Sequence, residues 1–208
     1  MSNASEKPFF NDIATSLEEA WRLLLEGAND RKSPLHTPAV ATVRSDGAPS
    51  QRIMVLRQAI RETRTVRFHT DYRASKVADI DQNGPVSILG YHRDAKIQLR
   101  LSGVGRVEHD SAVCEAAWNE ATLYGKRCYL ADPAPGSTVG APTSGLDPLM
   151  EGRKPEGFEV APARENFAVL LVEICQIEWL YLAHTGHRRA LFTWNTSSND
   201  WESEWLVP

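Results

Sequence analysis

The sequence predicts a mainly β protein, a barrel of about six or more strands with helices at its periphery. Short segments in which apolar and polar residues alternate recur along most of the chain, with turn-forming residues between them. Residues 45–47, Ser-Asp-Gly, are a strong hairpin signal between two such segments. We expect residues 1–208 to form one domain, with a flexible segment at 1–14 and a long insertion rich in Pro and Gly at 131–164.

The composition excludes two classes of partner. The chain has 23 basic and 27 acidic side chains, a formal net charge of −4, so it has no overall positive field to attract nucleic acid. No run of about 18 apolar residues could span a membrane, and the N-terminal residues lack the apolar core of a secretory signal. Cys114, Cys128 and Cys175 are far apart and odd in number, which is typical of reduced thiols. We therefore expect a cytoplasmic protein that binds neither nucleic acid nor membranes.

The first element predicted is a helix that starts at Ser16. Residues 16–19 form a capping box, in which the serine hydroxyl accepts from an orphan amide and Glu19 reaches back. Gly27 is typical of a helix C-terminus. The apolar residues between these signals recur every three or four positions and share one helix face: Leu17, Ala20, Trp21, Leu24 and Leu25.

After this helix the apolar residues alternate with a period of two, which predicts strands. Gly103 and Gly105 lie within the longest predicted strand and indicate a bulge or a bend. Two further helices are predicted at 75–82 and 110–122. The predicted strands cover 37–44, 49–58, 65–70, 86–91, 96–108, 167–173, 177–182, 189–194 and 201–206.

Two arginines bracket a short apolar run in the strand predicted at 49–58. If that strand is regular, Arg52 and Arg57 point to opposite faces, because their positions differ by an odd number. They are then either solvated arginines at the strand ends or contacts to different parts of one extended ligand.

A strand that runs directly into a helix start follows at residues 68–76. Free amides and the positive end of the helix dipole attract anions at such a start. Arg73, Ser75 and Lys76 cluster there and offer hydrogen-bond donors to a phosphate. Because cations are otherwise unfavourable at a helix N-terminus, this cluster indicates a bound anion.

Gln98 is a polar residue in an otherwise apolar strand. Its amide can donate and accept, which suits the edge of a heterocycle, although an exposed glutamine on a half-solvated strand fits the pattern equally well. No metal site is expected, because His184 and His187 have no further ligand at a recognisable spacing.

In their order and spacing, these segments resemble the pyridoxamine 5′-phosphate oxidase-like proteins, over residues 37–208. The resemblance implies the fold of that family, the FMN-binding split β-barrel, with flavin mononucleotide (FMN) as the cofactor. The residues that it places at cofactor-binding positions are Arg52, Ile53, Met54, Val55, Arg57, His69, Thr70, Ser75, Lys76, Gln98, Trp179 and Arg189.

The phosphate-binding segment departs from the family pattern at one position. The family's Ser-Arg-Lys falls on residues 74–76, so Lys76 is kept and Ser75 stands where the family has arginine. Arg73 is the nearest arginine that would compensate for the missing charge.

The C-terminal part of the resemblance implies a homodimer. Trp179 and Arg189 match two flavin-contacting residues that the family contributes from the partner subunit, so FMN would lie at the subunit interface. Arg57 and His187 are the residues expected to face a small substrate. Thr185 replaces the first arginine of the family's substrate-binding motif.

The resemblance therefore implies an FMN-dependent oxidoreductase in which a hydride passes from a small substrate to the flavin. No catalytic residue is assigned, because no general base is identifiable. Two alternatives stay open. One is an FMN-binding or carrier protein without pyridoxamine phosphate oxidase activity, and the other is a split barrel that uses another ligand, such as haem or a deazaflavin.

Overall fold

The computed structural model describes residues 8–208 and contains one antiparallel sheet surrounded by helices. The mainly β fold with peripheral helices that the sequence predicts is confirmed. The strands are β1 (Ala39–Val43), β2 (Pro49–Ile53), β3 (Leu56–Ile60), β4 (Thr65–Asp71), β5 (Pro85–His92), β6 (Ile97–Glu108), β7 (Phe167–Tyr181), β8 (Arg188–Asn195) and β9 (Asp200–Leu206). The helices are α1 (Ile13–Asn29), α2 (Ser75–Asn83), α3 (Ala112–Glu120) and α4 (Leu123–Arg127), and 3-10 segments cover Pro8–Phe10, Pro34–His36, Cys128–Leu130 and Phe158–Asn166.

Helix α1 begins before the predicted capping box, because Asp12 is its N-cap. The Asp12 carboxylate accepts from the backbone N–H of Thr15 at 2.8 Å. Ser16 lies buried inside the helix, and its hydroxyl donates to the carbonyl of Asp12 at 2.9 Å. The prediction that Ser16 caps the helix is therefore wrong, and the helix also continues past Gly27.

The expected flexible segment at 1–14 falls partly outside the described residues, which begin at residue 8. In the described part, a 3-10 turn forms at Pro8–Phe10 and α1 starts soon after. The ring of Phe10 stacks on Tyr181, with ring centroids 4.1 Å apart. An aromatic contact thus packs this part of the segment against the sheet.

The strand predicted at 49–58 is in fact two strands with different partners. β2 pairs with β1, whereas β3 pairs with β4. Between them the chain bends at Met54, whose N–H donates to the carbonyl of Pro38 at 3.1 Å. Because of this bend, the parity that placed Arg52 and Arg57 on opposite faces does not apply.

Nearer the C-terminus, two predicted strands are joined into one. The strands predicted at 167–173 and 177–182 are one strand, β7, which pairs with β6 along its length. The predicted bulge is confirmed, since the β6–β7 register shifts between Ser102 and Gly103. Glycine is required there, because a Cβ atom on Gly103 would lie 2.2 Å from the carbonyl oxygen of Glu173.

Strand β7 also divides the sheet. Its first half pairs with β4 and its second half with β8, so two groups of strands diverge from one edge of β7. The sheet order is β2-β1-β5-β6-β7-β4-β3, with β8 and β9 branching from β7. The β3–β4 hairpin and the β8–β9 hairpin therefore continue the sheet in separate directions.

The two faces of the sheet differ in burial. Val40, Ile88 and Leu101 are neighbours across β1, β5 and β6 and are buried; we call their side the inner face. Ala39 and Leu89 are neighbours on the opposite side, where Leu89 is 45% exposed; we call this the outer face. The alternation of side chains assigns each strand residue to one of these two faces.

The segment between the last two 3-10 segments, which covers most of the insertion expected at 131–164, contains neither helix nor strand in the described chain. Its final residues belong to the 3-10 segment Phe158–Asn166. Arg73 fastens the start of the segment, because its Nη2 atom donates to the carbonyl of Ala131 at 2.8 Å.

Replacing Gly103 with alanine tests the close approach at the bulge. The added methyl group meets backbone of β7, which cannot rotate away, so Gly103→Ala should lower the free energy of unfolding by about 1–3 kcal/mol. Denaturant unfolding measures the change. Gly140→Ala is the control, because a methyl group added there would meet no atom within 4 Å. Equal stability of the two variants would contradict the packing described here.

Candidate functional site

A pocket of about 340 Å³ opens where the bend after β2, the end of β4 and the start of α2 meet. This volume is within the range of small-molecule sites, roughly 300–1,000 Å³. We call it the basic pocket. It is lined by Arg52, Ile53, Met54, Val55, Arg57, His69, Thr70, Asp71, Lys76, Cys128, Tyr129 and Pro135. The structure thus brings together most of the predicted cofactor-binding residues, from β2, β3, β4, α2 and the bend between β2 and β3.

Arg52 is held firmly at one wall of this pocket. Its Nη1 atom donates to Oγ1 of Thr42 at 2.9 Å, and its Nη2 atom donates to Oγ of Ser50 at 2.8 Å. The nearest carboxylate, that of Asp79, is 4.0 Å from Nη2. Burial lowers the pKa of the Arg52 guanidinium, and Asp79 opposes this effect.

Lys76 is the second cation of the basic pocket. Its Nζ atom donates to Oγ1 of Thr70 at 3.0 Å. Burial is the main cause that lowers the pKa of the ammonium, and the nearby Arg52 lowers it further; Asp71 and Asp79 act in the opposite direction. A phosphate between Arg52 and Lys76 would remove this repulsion, so the donors present fit a phosphate group.

Ser75 and Arg73, which were predicted to bind the phosphate beside Lys76, do not line the basic pocket. Ser75 is the exposed first residue of α2 and does not line the pocket. Arg73 binds the carboxylate of Asp71 at 2.8 Å, in addition to the carbonyl of Ala131. Arg73 is therefore engaged in holding the loop and does not replace the missing arginine.

A second cavity, of about 210 Å³, adjoins the basic pocket and shares Arg57, His69 and Tyr129 with it. We call it the arginine cavity. Its other lining residues are Arg31, Arg67, Glu120, Ala121, Thr122 and Gly125.

The arginine cavity has more cations than anions. The side chain of Arg67 pairs with Glu120 at 2.9 Å. The side chains of Arg31 and Arg57 form no hydrogen bond or ion pair among residues 8–208. Partial burial lowers the pKa of the Arg57 guanidinium, and Arg31 and Arg67 lower it further. A cavity with this charge balance is suited to an anionic group.

His69 lies between the two cavities as a neutral imidazole. Burial is the main cause that lowers its pKa, to about 3, and the neighbouring Arg57 and Arg67 add to the shift. Its Nε2 atom is buried and has no hydrogen-bond partner among the described residues. The ring packs edge-on against Phe167, with centroids 4.9 Å apart. His69 is thus positioned to exchange a hydrogen bond with a ligand.

Gln98 and Arg189 lie apart from the basic pocket, on the outer face. Both are directly opposite Leu180 across neighbouring strands, which places the two side chains on the same side of the sheet. Arg189 donates to Glu178 at 2.8 Å. Gln98 lines a shallow cavity of about 210 Å³ whose other residues are Ala39, Ala41, Gln51, Ser87, Leu89 and Arg100.

Trp179 and His187 do not join either group. Trp179 is fully buried on the inner face, where its ring lies against Phe9 and Trp205. The alternation of side chains turns Trp179 to the side opposite Arg189, so the two residues do not share a face in the described chain. His187 lies exposed in the turn before β8 and lines neither the basic pocket nor the arginine cavity.

Sequence reasoning did not single out Arg31, Arg67 or Tyr129, which line the arginine cavity. Arg67 has a recognisable signal, since a charged residue stands in a strand whose neighbours are buried. Arg31 has none, because it follows α1 in a polar loop and reaches the cavity only through the fold.

Residues 8–208 contain no group of three or more His, Cys, Asp or Glu side chains arranged to hold a metal ion. In this same part of the chain, no helix is long and apolar enough to cross a bilayer.

Comparison with known proteins identifies similar sequences. Residues 18–109 match the family model described as pyridoxamine 5′-phosphate oxidase, FMN-binding domain. A pyridoxine/pyridoxamine 5′-phosphate oxidase of Psychrobacter sp. (strain PRwf-1) is 29% identical over 181 residues, which are 82% of this chain and 79% of that protein. The pyridoxine/pyridoxamine 5′-phosphate oxidase 2 of Arabidopsis thaliana is 28% identical, over 90% of this chain and 96% of that protein.

Solved structures are similar over nearly the whole chain. A pyridoxamine 5′-phosphate oxidase-related, FMN binding protein from Nostoc punctiforme PCC 73102 superposes with a TM-score of 0.73 and 25% identity, covering 91% of this chain and 96% of that one. PhzG from Burkholderia lata 383, solved in complex with tetrahydrophenazine-1-carboxylic acid, gives a TM-score of 0.67 at 18% identity, over 99% and 98% of the two chains. The similarity to PhzG supports only a shared fold.

His69 should make the stability of the apoprotein depend on pH. The folded state keeps the imidazole neutral down to about pH 3, whereas the unfolded chain takes up a proton below about pH 6.5. The unfolded state is therefore favoured as the pH falls through this window, by up to about 1.4 kcal/mol per pH unit. His69→Gln should remove this contribution, so its free energy of unfolding should fall less steeply than that of the parent.

Urea unfolding of the parent and His69→Gln between about pH 7 and 4.5 measures the difference. His184→Gln, which removes an exposed histidine, is the control. Parallel pH dependences for the parent and His69→Gln would show that His69 is not held neutral.

Proposed function

Because the chain belongs to the pyridoxamine 5′-phosphate oxidase-like family of split-barrel proteins, we propose that it binds FMN and transfers a hydride from a small substrate to the flavin. The observation that carries this proposal is the pairing of Arg52 and Lys76 in one pocket of suitable size. Arg52 has only a long ion pair, with Asp79 at 4.0 Å, and Lys76 forms no ion pair among residues 8–208, where Asp71 pairs with Arg73.

The phosphate is assigned to Arg52, Lys76 and the hydroxyl of Thr70. The start of α2 supports this assignment, since no side chain of the described residues caps the helix there. The remaining wall, at Ile53–Val55 and Arg57, would carry the rest of the cofactor. FMN supplies the hydride-accepting ring, and the side chains named here bind and orient it.

We propose a homodimer that forms through the outer face, with FMN at the subunit interface. Large apolar side chains are exposed there: Ile53 is 66% exposed, Leu89 45% and Tyr91 44%. Gln98 and Arg189 share this face, so a second copy packed against it would bring them towards the basic pocket. This arrangement would unite two groups of residues that are separate in one chain.

The substrate is proposed to carry an anionic group that binds in the arginine cavity. Arg57 faces both this cavity and the basic pocket, and Arg31 adds a second cation that is unpaired among residues 8–208. A bound anion would offset their mutual repulsion. His187 lies in an exposed turn, so in this proposal it would reach the substrate only from a second copy.

One observation favours the second candidate function, an FMN-binding protein without oxidation of pyridoxamine 5′-phosphate. Thr185 stands where the family has a substrate-binding arginine, and losing one charged hydrogen bond weakens binding by about 1.5–3 kcal/mol. Mixing the FMN-loaded protein with pyridoxamine 5′-phosphate without oxygen separates the two functions. Bleaching of the flavin band supports the oxidase, whereas an unchanged band at saturating substrate supports the second function.

Lys76→Ala tests the phosphate assignment. Loss of one charged hydrogen bond should weaken FMN binding roughly tenfold to a hundredfold, while binding of riboflavin, which lacks the phosphate, should be unchanged. Flavin fluorescence titration gives both affinities, and thermal unfolding shows whether the barrel is intact. Lys32→Ala removes an exposed lysine and is the control. An unchanged FMN affinity in Lys76→Ala would mean that the phosphate lies elsewhere.

Leu89→Glu tests the proposed interface. A carboxylate on the outer face would be buried without a partner in the dimer, so the variant should be monomeric and bind FMN at least about tenfold more weakly. Light scattering after size-exclusion chromatography gives the mass. Leu25→Glu places the same charge at an exposed apolar position of α1, a helix whose buried side packs with the inner-face residues, and should leave the dimer intact. A dimeric Leu89→Glu variant with parental FMN affinity would overturn this interface.

A further inference from the structure

Arg52, the arginine assigned to the phosphate, binds the hydroxyl of Thr42, which in turn binds the carboxylate of Asp79. Nη1 of Arg52 donates to Oγ1 of Thr42 at 2.9 Å, and the Thr42 hydroxyl donates to Oδ2 of Asp79 at 2.9 Å. A hydroxyl has one proton to donate. Because Thr42 gives that proton to the carboxylate, its oxygen presents only lone pairs to the guanidinium. Asp79 thus makes Thr42 an acceptor for Arg52.

From this chain of contacts, we propose that Thr42 and Asp79 are positioning residues for the phosphate site. Asp79 orients the Thr42 hydroxyl, and Thr42 holds the Arg52 guanidinium in place beside Lys76 before the ligand arrives. This inference rests on the proposed binding of FMN. Neither residue needs to touch the phosphate, so the effect acts through Arg52 alone.

Strand register and helix period explain why these groups meet. Across β1 and β2, Arg52 is opposite Val40 and Ser50 is opposite Thr42, so all four side chains lie on the inner face. Helix α2 packs against β1 at this point. Lys76 and Asp79 are three residues apart on α2, and thus share the face that meets Arg52 and Thr42.

The contacts are shielded from solvent. Thr42 is 2% exposed, and the side chains of Asp79 and Arg52 are 12% and 20% exposed. Water therefore competes little for these hydrogen bonds. The charged groups around Arg52 are Lys76, Asp79 and Asp71, the last of which is already paired with Arg73.

A carboxylate near a phosphate site can act in two ways of opposite sign. If Asp79 acts only as a negative charge, it repels the phosphate, and Asp79→Asn tightens FMN binding. If it positions Arg52 through Thr42, the same substitution weakens FMN binding, because the guanidinium must be ordered when the ligand binds. The sign of the change therefore decides between the two.

The test measures FMN and riboflavin affinities by flavin fluorescence for Thr42→Val, Thr42→Ser, Asp79→Asn and the Thr42→Val/Asp79→Asn double variant. Thr42→Val and Asp79→Asn should each weaken FMN binding about three- to tenfold, with riboflavin unaffected. Thr42→Ser keeps the hydroxyl and should bind as the parent does. In the double variant, Asp79→Asn should add nothing to Thr42→Val, because the two residues act in series.

Asp81→Asn, which removes an exposed carboxylate from the same helix, is the control. Thermal unfolding identifies any variant that has lost its fold, and Asp79→Asn tests the idea without altering the buried Thr42. Tighter FMN binding by Asp79→Asn, additive effects in the double variant, or equal losses for riboflavin would overturn the inference. If the parent binds FMN and the variants bind it equally tightly, the positioning inference alone is wrong. If the parent does not bind FMN, the proposed function is wrong as well.

Discussion

The pairing of β7 with three other strands is the constraint on which the rest of the structure depends. β6 covers one edge along its length, while β4 and β8 share the other edge. Gly103 makes this possible, because only a residue without a side chain fits against the carbonyl of Glu173 where the register shifts. The division at β7 separates the β3–β4 hairpin, which carries Arg57 and His69, from the β8–β9 hairpin, which carries Arg189.

The site proposed for FMN combines charges that have little direct compensation from the protein. Burial lowers the pKa values of both Arg52 and Lys76, and Arg52 lowers that of Lys76 further. Asp79, which is 4.0 Å from Arg52, opposes both shifts. Arg57 and Arg31 repeat the pattern in the arginine cavity. Such unbalanced positive charge stabilises an anion-bound state over the empty one, which is the physical reason to regard both cavities as ligand sites.

Local sequence pattern placed the basic residues of the strand–helix junction together more readily than the residues that the resemblance assigns to the flavin ring. Thr70 and Lys76 lie within one strand–helix junction, so local pattern was sufficient to place them together. Arg57 lines the basic pocket because the bend at Met54 replaces the regular strand that the sequence predicts. The spacing of Trp179 from Arg189 in sequence does not specify which sheet face each residue occupies, and the structure places them on opposite faces.

The sequence by itself determined the mainly β fold with peripheral helices, the bulge at Gly103 and the basic strand–helix junction, because each depends on periodicity or turn chemistry within a few residues. Only the tertiary structure decided that β2 and β3 take different partners, that Arg31 meets Arg57 in one cavity, and that Thr42 and Asp79 stand behind Arg52. These contacts join residues distant in the chain. They follow from strand register and helix packing, which no local pattern encodes.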